Sequence, residues 1–134
     1  MNLFVDTSVW SLALRRDSPP LAPHVAFVRN ALGAGDAVFT TGLVLQELLQ
    51  GVSGPKFREA IVQRFAALPF LVPEREDHVR AATVHTACRH KGIQVTTIDT
   101  LLAALCIRHG LTMLSTDQDL AHIARIEPLK VWKP

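Results

Sequence analysis

Short apolar runs alternate with longer segments of helical periodicity along this chain, and this alternation restricts the possible folds more than any other feature. The runs are too short for buried helices and suit strands that are covered on both faces. They lie at 3–5, 37–40, 70–72, 112–115 and 129–132. The segments between them place apolar residues at helical spacing. They lie at 9–16, 21–32, 43–51, 57–68, 74–91, 98–109 and 120–124. Because strands joined through helices pair in parallel, the sequence predicts a three-layer α/β/α sandwich with a mostly parallel central sheet of four to five strands.

Length and composition favour a single domain over residues 1–134. The chain has 134 residues, of which 49% are hydrophobic, which is enough for a proper core and too much for a disordered chain. No basic leader precedes the first apolar run, and no apolar run approaches the roughly 20 residues that span a bilayer. Cys88 and Cys106 lack the spacing of zinc ligands, which indicates buried, reduced thiols. We therefore expect a cytoplasmic protein without membrane association.

Four carboxylates occupy positions where a metal site is expected in such a sheet. Asp6 directly follows the first strand and Asp117 follows the fourth, and ligands of open α/β sheets collect beyond the carboxyl ends of the strands. Asp99 lies in the first turn of a very apolar helix, and Glu47 lies at the margin of a helix's apolar face. Each also has an ordinary explanation, since acids cap helices, complement helix dipoles or point into water. The sequence leaves open whether Asp117 or Asp119 caps the last helix and which of them is the ligand.

If these acids converge, they require a cation. Two unit charges about 4 Å apart repel by roughly 4 kcal/mol at an effective dielectric constant of about 20. Carboxylate oxygens alone favour Mg²⁺ or Mn²⁺ over zinc, and such ions serve phosphoryl transfer. The hydroxyl of Thr116 or Thr7 is expected to orient a ligand carboxylate. Thr7 and Ser8 are also expected to cap the first helix.

Four spaced elements of the sequence carry a family resemblance. They are Phe4-Val5-Asp6-Thr7-Ser8, Gln46-Glu47-Leu48, Ile98 to Ala104 and Leu114 to Leu120. In order and spacing, over essentially the whole chain, they resemble the PIN domain, and more narrowly the VapC-type ribonuclease toxins of bacterial type II toxin–antitoxin pairs. The resemblance implies a Mg²⁺-dependent endoribonuclease with four acidic ligands and an accessory hydroxyl. The implied ligands are Asp6, Glu47, Asp99 and Asp117, and the implied hydroxyl is that of Thr116. The family often has an aromatic residue where this chain has Leu120, which we interpret as a conservative packing change.

The resemblance also implies a mechanism and partners. Asp6, Asp99 and Asp117 would hold one metal directly, whereas Glu47 would act through a water or join a second ion. Asp119 would be either a further ligand or a supporting residue. Water would attack the scissile phosphorus in line, which leaves 5′-phosphate and 3′-hydroxyl ends. The family further implies a homodimer and inhibition by a small VapB-like antitoxin, whose tail lies across the active-site groove.

Positive charge away from the acidic positions suits a polyanionic partner. The net charge is +2 although several acids are assigned to the site, so cations are in excess elsewhere. Predicted helix ends carry candidate contacts to RNA phosphates, for which ordinary solvated side chains are an equal alternative. The candidates are Arg15, Arg16, Arg89, Lys91 and Arg108. Trp10 and Trp132 are expected to pack in the core or in a subunit interface and not to stack on bases.

Other classes of Mg²⁺-binding or nucleotide-binding proteins fit the sequence less well. A response-regulator-like signalling domain needs an aspartate after the third strand, where this chain has Pro73. A phosphatase of the haloacid dehalogenase type needs an acid at the position of Ser8. No glycine-rich dinucleotide motif follows any strand. The remaining alternative is a non-catalytic RNA-binding or signalling module with an acidic Mg²⁺ pocket.

Overall fold

Strands and helices alternate through the computed structural model, which describes residues 1–15 and 22–134. The strands are β1 (Asn2–Val5), β2 (Ala37–Thr41), β3 (Phe70–Leu71), β4 (Thr112–Leu114) and β5 (Lys130–Val131). The helices in the described ranges are α1 (Thr7–Ala13), α2 (Pro23–Gly33), α3 (Gly42–Gln50), α4 (Pro55–Ala66), α5 (Arg75–His90), α6 (Thr97–His109) and α7 (Gln118–Ala124). None of these helices is long and apolar enough to cross a membrane.

The strands form one sheet in the order β3-β2-β1-β4-β5, and every neighbouring pair is parallel. The central strand β1 is covered on both faces, since Leu3, Phe4 and Val5 are fully buried. The chain moves outward from β1 through β2 and β3 and then returns to place β4 on the other side of β1. Such a reversal opens a crevice beyond the carboxyl ends of the two strands. The predicted α/β/α sandwich with a mostly parallel sheet is confirmed, and this crevice lies where Asp6 and Asp117 follow β1 and β4.

Helix α6 is buried along most of its length because its residues are apolar on nearly every side. Residues 99–106 are all buried, and the helix packs against α5 and β4. At its start the hydroxyl of Thr96 accepts the N–H of Asp99 at 3.1 Å. Gly110 ends it with a left-handed φ of 65°, a conformation that glycine adopts without strain. Because β4 begins shortly after this end, the start of α6 presents Asp99 near the carboxyl end of the sheet.

An ion pair between an exposed arginine and a buried aspartate joins the end of α6 to the start of α5. Arg108 donates from Nε and Nη2 to the two carboxylate oxygens of Asp77, at 2.7 and 2.8 Å, and Asp77 is only 1% exposed. Asp77 also accepts the N–H of Glu74 in the capping box that begins α5. The hydrogen bonds from Arg108 hold the pKa of Asp77 below its usual range, although burial opposes them. Because the pair joins the end of one helix to the start of the other, α5 and α6 are antiparallel. Arg108, which the sequence suggested as an RNA contact, therefore binds Asp77 within the fold.

The first helix begins differently from the prediction. Thr7 and Ser8 do not cap α1, because Asp6 occupies the N-cap position and no side chain caps the helix. The two hydroxyls donate instead to carboxylates, Thr7 to Glu47 and Ser8 to Asp6. A carboxylate is a better acceptor for these hydroxyls than a neutral group, because hydrogen bonds to an ionised acceptor are about twice as strong as neutral ones. Arg16 and the loop predicted at 17–20 lie outside the described residues.

The outer strands and some helix ends differ from the predicted bounds. β3 ends at Leu71, so that Val72 is 69% exposed, and β5 covers only Lys130–Val131. An edge strand has hydrogen-bonding neighbours on one side only, which allows it to end early. Helix α4 stops at Ala66, before the predicted end at Leu68, and α7 already begins at Gln118.

The cysteine and tryptophan side chains pack within the fold. Cys88 and Cys106 are free and buried, as predicted, and burial raises the pKa of both thiols. Trp10 is 5% exposed, which places it in the core. Trp132 packs on Phe27 with ring centroids 4.4 Å apart. Trp10 thus lies in the core and Trp132 packs on an aromatic neighbour, which agrees with the packing role predicted for both.

Candidate metal centre

Three carboxylates meet beyond the end of β4. One oxygen each from Asp99, Asp117 and Asp119 lies within 4.8 Å of the other two. Asp99 comes from the first turn of α6, whereas Asp117 and Asp119 come from the start of α7. Asp117 caps α7 by accepting the N–H of Asp119 at 2.9 Å. The cap that the sequence left open is therefore Asp117, and capping brings its carboxylate and that of Asp119 toward the same point.

The electrostatics of this cluster favour a cation. Asp99 is 7% exposed, and its burial, together with the nearby charges of Asp117 and Asp6, raises its pKa to about 7, while the Thr96 hydroxyl acts in the opposite direction. At neutral pH the cluster therefore holds a proton on Asp99 in part of the molecules. The donors are carboxylate oxygens only, which are the ligands that Mg²⁺ and Mn²⁺ prefer. The residues present thus fit a hard divalent cation, which would replace the proton and relieve the repulsion.

Asp6 lies beside this cluster without being part of the group of three. It follows β1, its backbone N–H donates to the carbonyl of Leu114 in β4, and its side chain is nearly fully buried at 4% exposed. Its charge contributes to the raised pKa of Asp99, so the two carboxylates are close enough to interact electrostatically. The structure therefore brings Asp6, Asp99 and Asp117 to one end of the sheet, although Asp6 stands further back than Asp119.

Glu47 is hydrogen bonded to the residue that follows Asp6 and does not belong to the described group of three carboxylates. Its Oε1 accepts the hydroxyl of Thr7 at 3.1 Å, and Thr7 directly follows Asp6. Glu47 also lines a cleft of ≈ 330 Å³ together with Arg15 and apolar residues of α3 and α4, among them Phe57, which is 43% exposed. The fold thus places Glu47 at the margin of the crevice, where the acidic centre adjoins this cleft.

Comparison with known proteins identifies the family of this acidic α/β fold. The model of the PIN domain family matches residues 3–126, from β1 to just beyond α7. The chain belongs to the PIN-domain family. Ribonuclease VapC23 of Mycobacterium tuberculosis is 33% identical to this PIN domain over 128 residues, which are 92% of this chain and 98% of the relative. Ribonuclease VapC11 of the same organism is 31% identical over 130 residues, which are 96% of each chain. The resemblance to VapC-type ribonucleases is confirmed.

Solved structures confirm the fold of the PIN domain. VapBC2 from Rickettsia felis, bound to a DNA fragment from its promoter, matches with a TM-score of 0.76 at 17% identity, over 99% of this chain and 100% of that one. DNA-bound VapBC from Salmonella typhimurium matches with a TM-score of 0.75 at 19% identity, over 98% of this chain and 97% of that one. At these identities the likeness concerns the arrangement of strands and helices.

Two serines that the sequence interpretation did not assign hold Asp6 in this PIN domain. Ser8 and Ser115 both donate to Asp6 Oδ2, at 3.0 and 2.8 Å. The predicted accessory hydroxyl, that of Thr116, is exposed and hydrogen bonds to no described residue, while the Thr116 backbone N–H donates to Ser8 Oγ. A signal was present in the sequence, since one serine lies two residues after Asp6 and the other two residues before Asp117.

The cations predicted to contact RNA lie at two places in the PIN domain. Arg15 lines the cleft beside Glu47. Arg89 and Lys91 are exposed at the end of α5, and because α5 and α6 are antiparallel, this end lies beside the start of α6 that carries Asp99. One place adjoins Glu47 and the other lies at the helix end that precedes α6, and the role of these side chains in binding RNA stays a prediction.

Proposed function

We propose that this chain is a divalent-metal-dependent endoribonuclease and the toxin of a type II toxin–antitoxin pair, acting on RNA in the cytoplasm. The observation that carries the proposal is the meeting of Asp99, Asp117 and Asp119 beside the buried Asp6 at the crevice between β1 and β4. The relatives named ribonuclease VapC, at 31% and 33% identity over nearly the whole chain, support the reaction class.

Four carboxylates would hold the metal, and a fifth would assist. Asp99, Asp117, Asp119 and Asp6 supply the hard oxygen ligands for Mg²⁺ or Mn²⁺, and Glu47 takes part through a water or a second ion. When bound, the metal lowers the pKa of the attacking water and neutralises charge on the leaving oxygen. Thr7 orients Glu47 through its 3.1 Å hydrogen bond.

The residues around the acids would bind and orient the RNA. Arg15 on one side and Arg89 with Lys91 on the other offer positive charge to the phosphates that flank the scissile bond, and Arg16 is proposed for the same role from the sequence. The side chains that form the centre are carboxylates and hydroxyls, which suit a metal-assisted attack by water. Hydrolysis by water, without participation of the substrate's 2′-hydroxyl, leaves 5′-phosphate and 3′-hydroxyl ends.

Cleavage of a mixed RNA by the purified protein tests the proposal. We expect cleavage with Mg²⁺ or Mn²⁺, none with excess EDTA, and fragments with 5′-phosphate ends. Asp99→Asn removes a ligand charge and should lower the rate at least about 100-fold, in the range expected for lost electrostatic stabilisation. Asp36→Asn is the matched control, because Asp36 lies in the turn before β2 and pairs with the amino terminus.

Two outcomes would contradict the proposed activity. Cleavage that persists at the wild-type rate in Asp99→Asn, or that yields 2′,3′-cyclic phosphate ends, would assign the reaction to other residues. RNA binding without metal-dependent cleavage would favour the non-catalytic module.

An antitoxin and a second copy of the chain are the proposed partners. Solved relatives of this fold are VapBC complexes, and on this basis we propose a homodimer that a small VapB-like protein inhibits by covering the groove at the acidic centre. Addition of the protein encoded beside this chain's gene should abolish cleavage at a stoichiometric ratio. Cleavage that continues in the presence of the bound protein would contradict inhibition at this site.

A further inference from the structure

Ser8 and Ser115 form a hydrogen-bonded network that joins the ends of β1 and β4. Both hydroxyls donate to Asp6 Oδ2, and the two serine oxygens lie 3.3 Å apart. The backbone N–H of Thr116 donates to Ser8 Oγ at 3.1 Å, and that of Asp117 donates to Ser115 Oγ at 2.9 Å. Ser115 is 7% exposed, so water has little access to compete for these bonds.

The direction of the bonds to Asp6 and from the backbone follows from which atoms carry protons. A serine hydroxyl has one proton to give and two lone pairs with which to accept. The backbone N–H groups of Thr116 and Asp117 can only donate, so they occupy acceptor positions on Ser8 and Ser115 and leave each hydroxyl proton for Asp6. Oδ2 of Asp6 therefore accepts two protons, whereas none of the described residues hydrogen bonds to its Oδ1.

From this asymmetry we infer that Ser8 and Ser115 are positioning residues for the metal, which fix the rotation of the Asp6 carboxylate so that Oδ1 is available as a ligand. The inference rests on the proposed function, because it assumes that Asp6 binds a cation. Partners that hold a ligand carboxylate in place commonly determine metal affinity. The structure assigns this task to two serines separated by more than a hundred residues in sequence.

The same serines couple two parts of the metal centre. Ser115 binds Asp6 through its hydroxyl and the backbone of Asp117 through its oxygen, so one side chain sets the distance between the ligand of β1 and the start of α7. Ser8 likewise donates its hydroxyl to Asp6 and accepts the backbone N–H of Thr116, the residue before Asp117. Loss of one hydroxyl leaves the other on the same oxygen, and loss of both frees the carboxylate to rotate.

Metal binding in the absence of RNA tests this inference. Titration of the metal-free protein with Mn²⁺, followed by calorimetry, should show affinity lowered about tenfold in Ser8→Ala and in Ser115→Ala. The double variant should lose more than the product of the two single losses, because each serine partly replaces the other. Ser115→Thr keeps the hydroxyl and should bind Mn²⁺ within about twofold of wild type, as a purely positional role requires.

Controls separate positioning from stability. Thermal unfolding of each metal-free variant shows whether it is folded at the titration temperature, and Ser53→Ala removes an exposed hydroxyl from the loop before α4. Should Ser115→Ala fail to fold, Ser8→Ala and Ser115→Thr decide the matter. Wild-type affinity in a folded Ser8→Ala, or a tenfold loss in Ser115→Thr, would overturn the inference.

The result also distinguishes this inference from the proposed function. If the wild-type protein binds Mn²⁺ and cleaves RNA while both alanine variants match it, the nuclease stands and only the role of the serines falls. If the wild-type protein binds no Mn²⁺, both fall together. A loss in Thr116→Ala equal to that in Ser115→Ala would move the positioning role to the hydroxyl implied by the family resemblance.

Discussion

Asp99 is buried beside other acids, and in the metal-free protein this placement opposes folding. Its pKa is raised to about 7, chiefly by burial and then by the charge of Asp117. Between the usual aspartate pKa of about 3.9 and this value, the folded protein holds a proton that the unfolded chain releases. Stability in this range therefore falls as the pH rises, since deprotonation is easier in the unfolded state. A residue that we propose as a metal ligand thus destabilises the metal-free fold.

Asp99→Asn should accordingly make the metal-free protein more stable at pH 8. Each unit of pKa shift corresponds to about 1.4 kcal/mol, and with partial compensation by the neighbouring groups we expect a gain of about 1 to 3 kcal/mol. Urea unfolding in EDTA at pH 5.5 and pH 8 measures it. The wild-type protein should lose stability between the two values, and the variant should lose less.

Asp36→Asn is again the control, because Asp36 is partly exposed and has a single, loose partner. If Asp99→Asn is no more stable than wild type at pH 8, the prediction that the buried carboxylate opposes folding is wrong.

At the scale of elements, the helices that carry the site are held by contacts far from it. Arg108 and Asp77 tie the end of α6 to the start of α5 with two hydrogen bonds shorter than 3 Å. Removal of Arg108 would leave the buried carboxylate of Asp77 without its charged partner. The ion pair therefore belongs to the scaffold that keeps Asp99 at the crevice, at the opposite end of the same helix.

Arg108→Met should lower the free energy of unfolding by about 3 kcal/mol, because Asp77 remains buried with only the Glu74 N–H to satisfy it. The double variant Asp77→Asn with Arg108→Met should recover part of the loss. Since the pKa of Asp77 is lowered in the folded state, the contribution is present at neutral pH and is lost as the pH falls through about 4 and below. Urea unfolding at pH 7 and pH 3.5 measures both effects.

Arg125→Ala, an exposed arginine at the end of α7, should change stability by less than about 0.5 kcal/mol. A loss in Arg108→Met no greater than in this control would show that the pair adds nothing.

The sequence predicted the elements well because periodicity and apolar character are local properties. The very apolar α6 and the short buried β1 and β4 follow from their own residues. Partners that lie far away in the chain could not be predicted in this way. Arg108 was interpreted as a phosphate contact because its acceptor is 31 residues distant, and Ser115 was overlooked because its role depends on a strand at the other end of the chain.

At the scale of the whole molecule, acids converge at one end of the sheet and exposed cations lie on neighbouring elements. Arg89 and Lys91 lie on α5 beside the start of α6, and Arg15 lies in the cleft next to Glu47. Positive charge around an acidic centre attracts the phosphate backbone of RNA. A metal bound within the centre would neutralise the negative charge of the carboxylates. Positions at predicted helix ends suggested these cations, and the antiparallel packing of α5 and α6 places the end of α5, with two of them, near the start of α6.

Arg89→Ala should weaken RNA binding in a salt-dependent way, whereas Arg75→Ala should not. Both arginines are exposed on α5, at opposite ends of the helix. Loss of one phosphate contact lowers the slope of log Kd against log salt by about 0.7 for single-stranded RNA. Fluorescence anisotropy at several salt concentrations, with the metal replaced by Ca²⁺ or left out, gives the slopes. Equal slopes for the two variants would place the RNA elsewhere.

The order of strands in the sheet has a consequence for synthesis. β1 is synthesised before its neighbour β4 and the residues up to Asp119, which follow it by more than a hundred residues, so β1 cannot complete its pairing until they have been translated. A nascent chain that carries Asp6 and Glu47 alone has no cluster to hold a cation. The activity proposed for this protein therefore arises only once the chain has been synthesised beyond Asp119, and a nascent chain that ends before β4 lacks the cluster on which cleavage depends.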